Sequence, residues 1–327
     1  MRTGKLYPGG ISAYGSWGHF KNLICVPGAT YPNYQVNIYA DGAELFDLGG
    51  AILVTGPLSK LLDLTAAGAG GLDFGPEQAS TWYHMYIIGK TDGTISSIFS
   101  PLSGRGSGAT ISYTATGGVV TAVTANAVAG GAGYAVGDLV RIPGGDGKAL
   151  ATVATVGVYG AVVTFSTTPK YAGASGYTSA TGQATTTAFT YPAGYTFSAY
   201  VGAIRNDAGS NIIGFYQSDN NVNVGGALSI GGGTSTGGSV IDVTVFVPST
   251  AKRMWGHQYM LPGTTGSVSW YIGPDAATGV IRFMNYFSAN GYSGGPWSIA
   301  INQTGSIWYQ VQVAGMSLNI LLGGWSY

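Results

Sequence analysis

Trp82-Tyr83-His84-Met85-Tyr86-Ile87-Ile88 is apolar or aromatic at odd and even positions alike. A strand turns successive side chains to opposite faces, so this run predicts a central strand covered on both sides. Thr91-Asp92-Gly93-Thr94 follows as a turn, and Asn206-Asp207-Ala208-Gly209 reads as another. Elsewhere the pattern is one-sided. Ile241, Val243, Val245 and Val247 alternate with Asp242 and Thr244, Val268, Trp270 and Ile272 with Ser269, and Tyr309, Val311 and Val313 with Gln310 and Gln312. Each predicts a strand with one buried face. Leu58 to Leu64 reads as a short helix or a strand, and no other segment carries a helical period. The chain is predicted to be all-β.

Composition narrows the function. The 327 residues hold 13 Lys+Arg against 13 Asp+Glu, and charged residues are only 8% of the chain. Zero net charge without a basic block argues against binding nucleic acid by phosphate neutralisation. Glycine reaches 56 residues without a three-residue period, which excludes a collagen helix. The opening Met1-Arg2-Thr3-Gly4-Lys5 leads into no apolar core of a secretory leader, and no apolar run is long enough for a membrane span. The single Cys25 has no partner for an intrachain disulfide. So few ionisable groups leave little for acid–base catalysis, and favour a structural or binding protein.

Residues 103–188 stand apart, dominated by Gly, Ala, Thr and Val and without Trp. The segment also repeats: Gly118-Val119-Val120-Thr121-Ala122-Val123 aligns with Gly160-Ala161-Val162-Val163-Thr164-Phe165, and Gly133-Tyr134 with Gly176-Tyr177. Units this small cannot bury a face alone and must pack on each other or on neighbouring chains. The predicted organisation is a jelly-roll-like β-sandwich of residues 1–102 plus 189–230, an inserted Gly/Tyr-rich β-repeat domain at 103–188, and a C-terminal β-domain at 240–327. Gly231 to Gly238 reads as a linker between the last two, or as a long loop inside one sandwich.

Gly70-Gly71-Leu72-Asp73-Phe74-Gly75, followed by Ser80-Thr81 and the Trp82 run, resembles a β-module of bacteriophage tail and other virion structural proteins. Tyr191-Pro192-Ala193-Gly194-Tyr195 with Val201-Gly202-Ala203-Ile204-Arg205, Val247-Pro248-Ser249-Thr250-Ala251, and Gly305-Ser306-Ile307-Trp308-Tyr309 running to Gly324-Trp325 extend the resemblance over about half the chain. It implies a β-rich, trimeric protein on the virion surface: a tail fibre or receptor-binding protein, or alternatively a capsid decoration or head-fibre protein. Its implied partners are itself, other virion proteins and a host surface glycan, with no nucleic acid and no membrane insertion. A polysaccharide-degrading tailspike is the enzymatic alternative. The family has no single catalytic motif, so the resemblance assigns no catalytic residue.

The residues themselves offer weak chemistry. Gly291-Tyr292-Ser293-Gly294-Gly295 matches the nucleophile-elbow spacing, but the elbow needs a helix after it and Pro296-Trp297-Ser298-Ile299 reads as a strand. At this glycine content about one such match is expected by chance. Gly145-Asp146-Gly147-Lys148-Ala149 lacks the earlier glycine and the hydroxyl of a phosphate loop, so it reads as a turn. Gly104-Arg105-Gly106-Ser107-Gly108 reads as a hinge into the insert. His19, His84 and His257 have no metal-ligand spacing, and Asp219-Asn220-Asn221 lacks the spaced acids of a calcium loop. Asp41, Glu44 and Asp47 form the tightest acidic group, with no basic or histidine neighbour in sequence. No enzymatic activity, metal or cofactor is expected. Tyr286, Tyr292 and Trp297 sit in turn-like surroundings and are the candidate binding residues, because such rings stack on sugars and fill interfaces.

Overall fold

Trp82–Gly89 is a strand buried from Tyr83 onward, flanked by Phe197–Arg205 on one side and Ile95–Ser100 on the other. A computed structural model describes residues 19–170, 174–261, 266–277, 280–287, 293–302 and 305–327, without the side chains of 226–228, 266–267 and 285–287. Among the described residues the fold is all-β, with a single 3₁₀ turn at Val158–Gly160 and no α-helix.

The Trp82 strand belongs to a six-stranded sheet. Its order is His19–Lys21, Gly42–Phe46, Phe197–Arg205, Trp82–Gly89 and Ile95–Ser100, with Ile52–Thr55 also paired to Gly42–Phe46. An eight-stranded sheet runs Ser293–Ala300, Arg253–Leu261, Ser317–Ser326, Asn221–Gly233, Phe215–Ser218, Ile24–Pro27, Gln35–Ala40 and Leu58–Asp63. A four-stranded sheet, Ser239–Asp242, Ser306–Val311, Gly266–Gly273 and Ile281–Phe287, completes this body.

The main core lies against the inner face of the eight-stranded sheet. Val36, Ile38, Leu62 and Val222 pack in one cluster with Tyr83, Met85 and Ile87 of the six-stranded sheet, and with Val268, Trp270 and Ile307 of the four-stranded one. Trp270 Nε1 donates to Gln258 Oε1 at 2.7 Å, a hydrogen bond that ties the four-stranded sheet to the eight-stranded one. The other face of the Trp82 strand is covered as well. Tyr86 and Ile88 join Ile98, Phe189 and Tyr200 in a separate buried cluster. That double cover explains why the run lacks a polar alternation.

Residues from both sides of Gly231–Gly238 share the eight-stranded sheet and the main core. Gly231–Gly233 are therefore strand, paired with Ile320, Asn319 and Leu318, rather than the start of a linker. Leu58–Asp63 also resolves as a strand. The alternation from Ile241 to Val247 overreaches, because the strand stops at Asp242. The Asp242 carboxylate accepts from the Thr244 amide and hydroxyl, and the amides of Phe246 and Val247 both donate to the Val243 carbonyl. That capped turn takes the backbone out of the ladder.

The 103–188 segment folds around its own small core. Sheets of Val119–Val123, Ser107–Thr116, Ala129–Ala132 with Ala180–Ala184, and of Leu139–Arg141, Leu150–Val156 and Val162–Phe165, enclose a cluster whose buried members run from Ala109 to Tyr177. Its internal repeat has a structural counterpart. The Tyr134 hydroxyl accepts the Ala109 amide, and the Tyr177 hydroxyl accepts the Ala149 amide at 3.0 Å. Each ring lies against a left-handed glycine, Gly106 or Gly145, where a Cβ would run into the aromatic carbons. The glycines are thus required by close approach as well as by φ.

The segment leaves and re-enters the body side by side, since the Gly104 amide donates to the Thr187 carbonyl at 3.1 Å. Replacing residues 103–188 by a short Gly-Ser linker should leave a remainder with cooperative unfolding, because the main core has no member from that segment. Circular dichroism and a denaturant titration check this. A molten remainder would sink the separability of the insert.

Candidate functional site

The outer face of the eight-stranded sheet carries exposed apolar and aromatic side chains on several strands. Alternation puts Cys25, Ile38 and Val222 inside, which turns Ile24, Tyr39 and Tyr216 outward on adjacent strands. Leu61 joins them at one edge, and Leu261 lies toward the other. Tyr216 is 46% exposed and Leu261 47%. Along Arg253–Leu261 the inward residues are Met254, Gln258 and Met260, which leaves Trp255, His257, Tyr259 and Leu261 on the outer side. The neighbouring strands oppose Gly324, Leu321 and Asn319 on one side and Pro296 and Gly294 on the other. Glycine there makes space for rings: a Cβ on Gly324 would sit 2.8 Å from the Trp255 indole. The result is an outward row of rings along this strand, with a depression bordered by His257, Tyr259, Leu261 and Gly294.

A second concentration of chemistry joins the insert to the body. Asp73 Oδ2 accepts from the Ser100 hydroxyl at 2.9 Å and the Thr190 amide at 3.0 Å, while Oδ1 is enclosed without a hydrogen-bond partner among the described residues. Burial pushes the carboxyl up to about 7, against the opposing pull of these bonds and of Arg141. Arg141, from the insert, lies 4.3 Å over the Phe74 ring and donates to Thr190 Oγ1 at 2.9 Å. Arg105 donates to the Ser249 carbonyl, whose own hydroxyl donates to Asp138. These contacts fasten the inserted segment to the body.

The residues singled out in the sequence scatter. Trp297 is 3% exposed and packs in the main core opposite Gly256, so its ring offers no face to solvent. The backbone of Tyr286 pairs with Ser267 in the four-stranded sheet, and Tyr292 lies outside the described residues. Ser293 opens the strand Ser293–Ala300, so strand rather than helix follows the elbow-like motif, whose Gly291 and Tyr292 are outside the described residues. Asp41 accepts from the Asn22 side chain, 19 residues earlier, and Asp47 from the Ala51 amide within its own turn. Glu44 does have a histidine neighbour that its sequence position hid: His19 Nδ1 lies 3.0 Å from its carboxylate, exposed on an adjacent strand. Gly145–Lys148 is a turn, with the Lys148 amide donating to Asp146 Oδ1. Asp219 Oδ1 accepts the Leu23 amide at 3.0 Å.

His84 is fully enclosed, its Nδ1 3.2 Å from the Tyr200 hydroxyl, which lies 2.7 Å from Thr250 Oγ1. Burial, reinforced by the nearby Arg105 charge, drives it down to about 3, which keeps it neutral at physiological pH. Among the described residues no group of three His, Cys, Asp or Glu is placed to hold a metal ion. Also among them, no helix is long and apolar enough to cross a membrane.

No protein-family model matches the sequence, and no curated protein matches it. Functional inference therefore rests on the surface itself. The outer row at 255–261 escaped the sequence reading because Met254, Trp255, Tyr259, Met260 and Leu261 are all apolar or aromatic. Apolar residues at both parities leave no alternation to say which face turns inward. Arg141 and Asp73, far apart in sequence, left no signal.

Proposed function

We propose that this chain is a non-enzymatic structural component of a bacteriophage virion, displayed on the particle surface as a tail fibre or receptor-binding protein. The observation that carries the reading is the bare outer face of the eight-stranded sheet, where Ile24, Tyr39, Leu61, Tyr216 and Leu261 stand exposed. A face of that composition gains free energy by being covered, and packing between subunits is the usual means. A chain with only 8% charged residues has little else to keep such a surface dispersed in water. The resemblance of the Gly70–Ile88 and Gly305–Trp325 segments to virion β-modules supplies the context, and the trimer is the closed symmetry it implies. A host surface glycan is the receptor class that the resemblance implies.

Native mass measurement tests the assembly. The chain of 33.4 kDa should run as a particle of three copies, and pairing Tyr216→Glu with Leu261→Glu should release monomers at micromolar concentration. A wild-type monomer under the same conditions contradicts the proposal. Antibody labelling of the particle then locates the protein, and a signal on the capsid instead of the tail would assign it to decoration.

A further inference from the structure

A cavity of about 150 Å³ lies between the six-stranded and eight-stranded sheets, at the end covered by the Asp242-capped turn. Trp82 and Ile204 line it from one sheet, Phe215, Val224 and Trp325 from the other, and Val245 and Phe246 from the turn. Both indole N–H groups are engaged elsewhere. Trp82 Nε1 donates to the Thr244 carbonyl at 2.9 Å, which also fastens the turn down, and Trp325 Nε1 donates to the Tyr327 hydroxyl at 3.0 Å. The two rings meet edge to face, 5.5 Å apart. What remains toward the cavity is hydrocarbon and ring surface, with one exception.

The exception is Arg205, at the end of the strand Phe197–Arg205. Among the described residues its guanidinium has no hydrogen bond and no ion pair. Asp207 acts on it through its field, while that carboxylate accepts from the amides of Gly209 and Asn211. Partial burial disfavours the Arg205 charge, and Arg205 in turn disfavours the charge on Lys170 of the insert. Positive charge thus stands beside an aromatic cavity, offset by the field of Asp207 but, among the described residues, in no direct ion pair. A partly desolvated guanidinium without a partner is costly, and a carboxylate is its best-matched complement.

We propose that this cavity is a binding site for a small apolar acid, with a ring or short aliphatic body between Trp82, Phe215 and Trp325 and its carboxylate on Arg205. The volume suits one benzene-sized body, since an apolar cavity of about this size is known to take up benzene. Val245, which lines the cavity, is 45% exposed. The site is independent of the virion reading and of the outer sheet face.

Titrating the full chain with benzoate and with benzyl alcohol, followed by ligand-observed NMR, tests it. Benzoate should bind saturably, about ten-fold more tightly than its uncharged counterpart. Arg205→Gln should remove that advantage while leaving benzyl alcohol unchanged, and Val245→Trp in the cavity lining should weaken both. Thermal unfolding verifies that each variant is folded, and the wild-type contrast between the two probes stands even if one is not. Absence of saturable benzoate binding up to about 10 mM overturns the site. Equal affinity for the two probes, or benzoate binding unaffected by Arg205→Gln, overturns the acid-binding assignment.

Discussion

Tyr86→Ala should cost about 3–5 kcal/mol of stability, the range for deleting a buried aromatic ring. Tyr86 is 1% exposed at the centre of the Trp82 strand and touches both ends of the inserted segment. Its ring stacks on Phe189 at 4.3 Å, and its hydroxyl donates to the Leu102 carbonyl at 3.2 Å. Tyr200 meets the same ring edge-on at 5.4 Å. Removing the side chain opens a hole under the point where the chain departs and returns, so the damage should concentrate there. Tyr86→Phe keeps the packing and loses only the hydroxyl, leaving the Leu102 carbonyl short of a donor, and should cost about 1 kcal/mol. Urea titration gives both numbers, and limited proteolysis near residues 103–106 and 186–189 should be faster in the alanine variant alone. An alanine cost below about 1 kcal/mol would mean that the clasp contributes little.

That side chain illustrates how far the sequence carries. The unbroken apolar run at 82–88 announces a strand covered twice, and the structure has it so. What covers it on the second face, Phe189 and Tyr200, comes from more than a hundred residues away and has no local signature. The same holds for the eight-stranded sheet. Each strand has a readable period, but their spatial order interleaves the beginning and end of the chain, with Phe215–Ser218 beside Ile24–Pro27. Glycine proved the most misleading letter. At Gly231–Gly233 it reads as flexibility yet lies in a ladder, where a Cβ at Gly232 would collide with the Leu318 carbonyl. Candidate site residues fared worst, because Trp and Tyr serve cores and interfaces with the same chemistry. Trp297 and Trp255 are chemically identical, and only the register of their strands sends one inward and the other out.

Acid stability should be flatter than either buried ionisable group alone would make it. His84 falls from an ordinary 6.5 to about 3 on folding, so between those values the unfolded chain takes up a proton that the native protein refuses. By itself this makes stability rise with pH from about 3 to 6.5, by about 1.4 kcal/mol per pH unit. Asp73 moves the opposite way, from 3.8 to about 7, so the native protein keeps a proton that the unfolded chain has lost. By itself this makes stability fall as pH rises from 3.8 to 7. Across 3.8 to 6.5 each state binds one proton from this pair, the unfolded chain on His84 and the native protein on Asp73, and the two slopes cancel. Single variants expose the hidden terms. Asp73→Asn leaves the histidine slope, so stability should climb toward neutral pH, whereas His84→Gln leaves the aspartate slope and should make it decline. The two variants therefore need only be compared by slope, which does not depend on how much each substitution costs at a fixed pH. Denaturant midpoints measured at pH 4, 5 and 6 decide it, and parallel curves for the two variants would show that these groups titrate alike in both states.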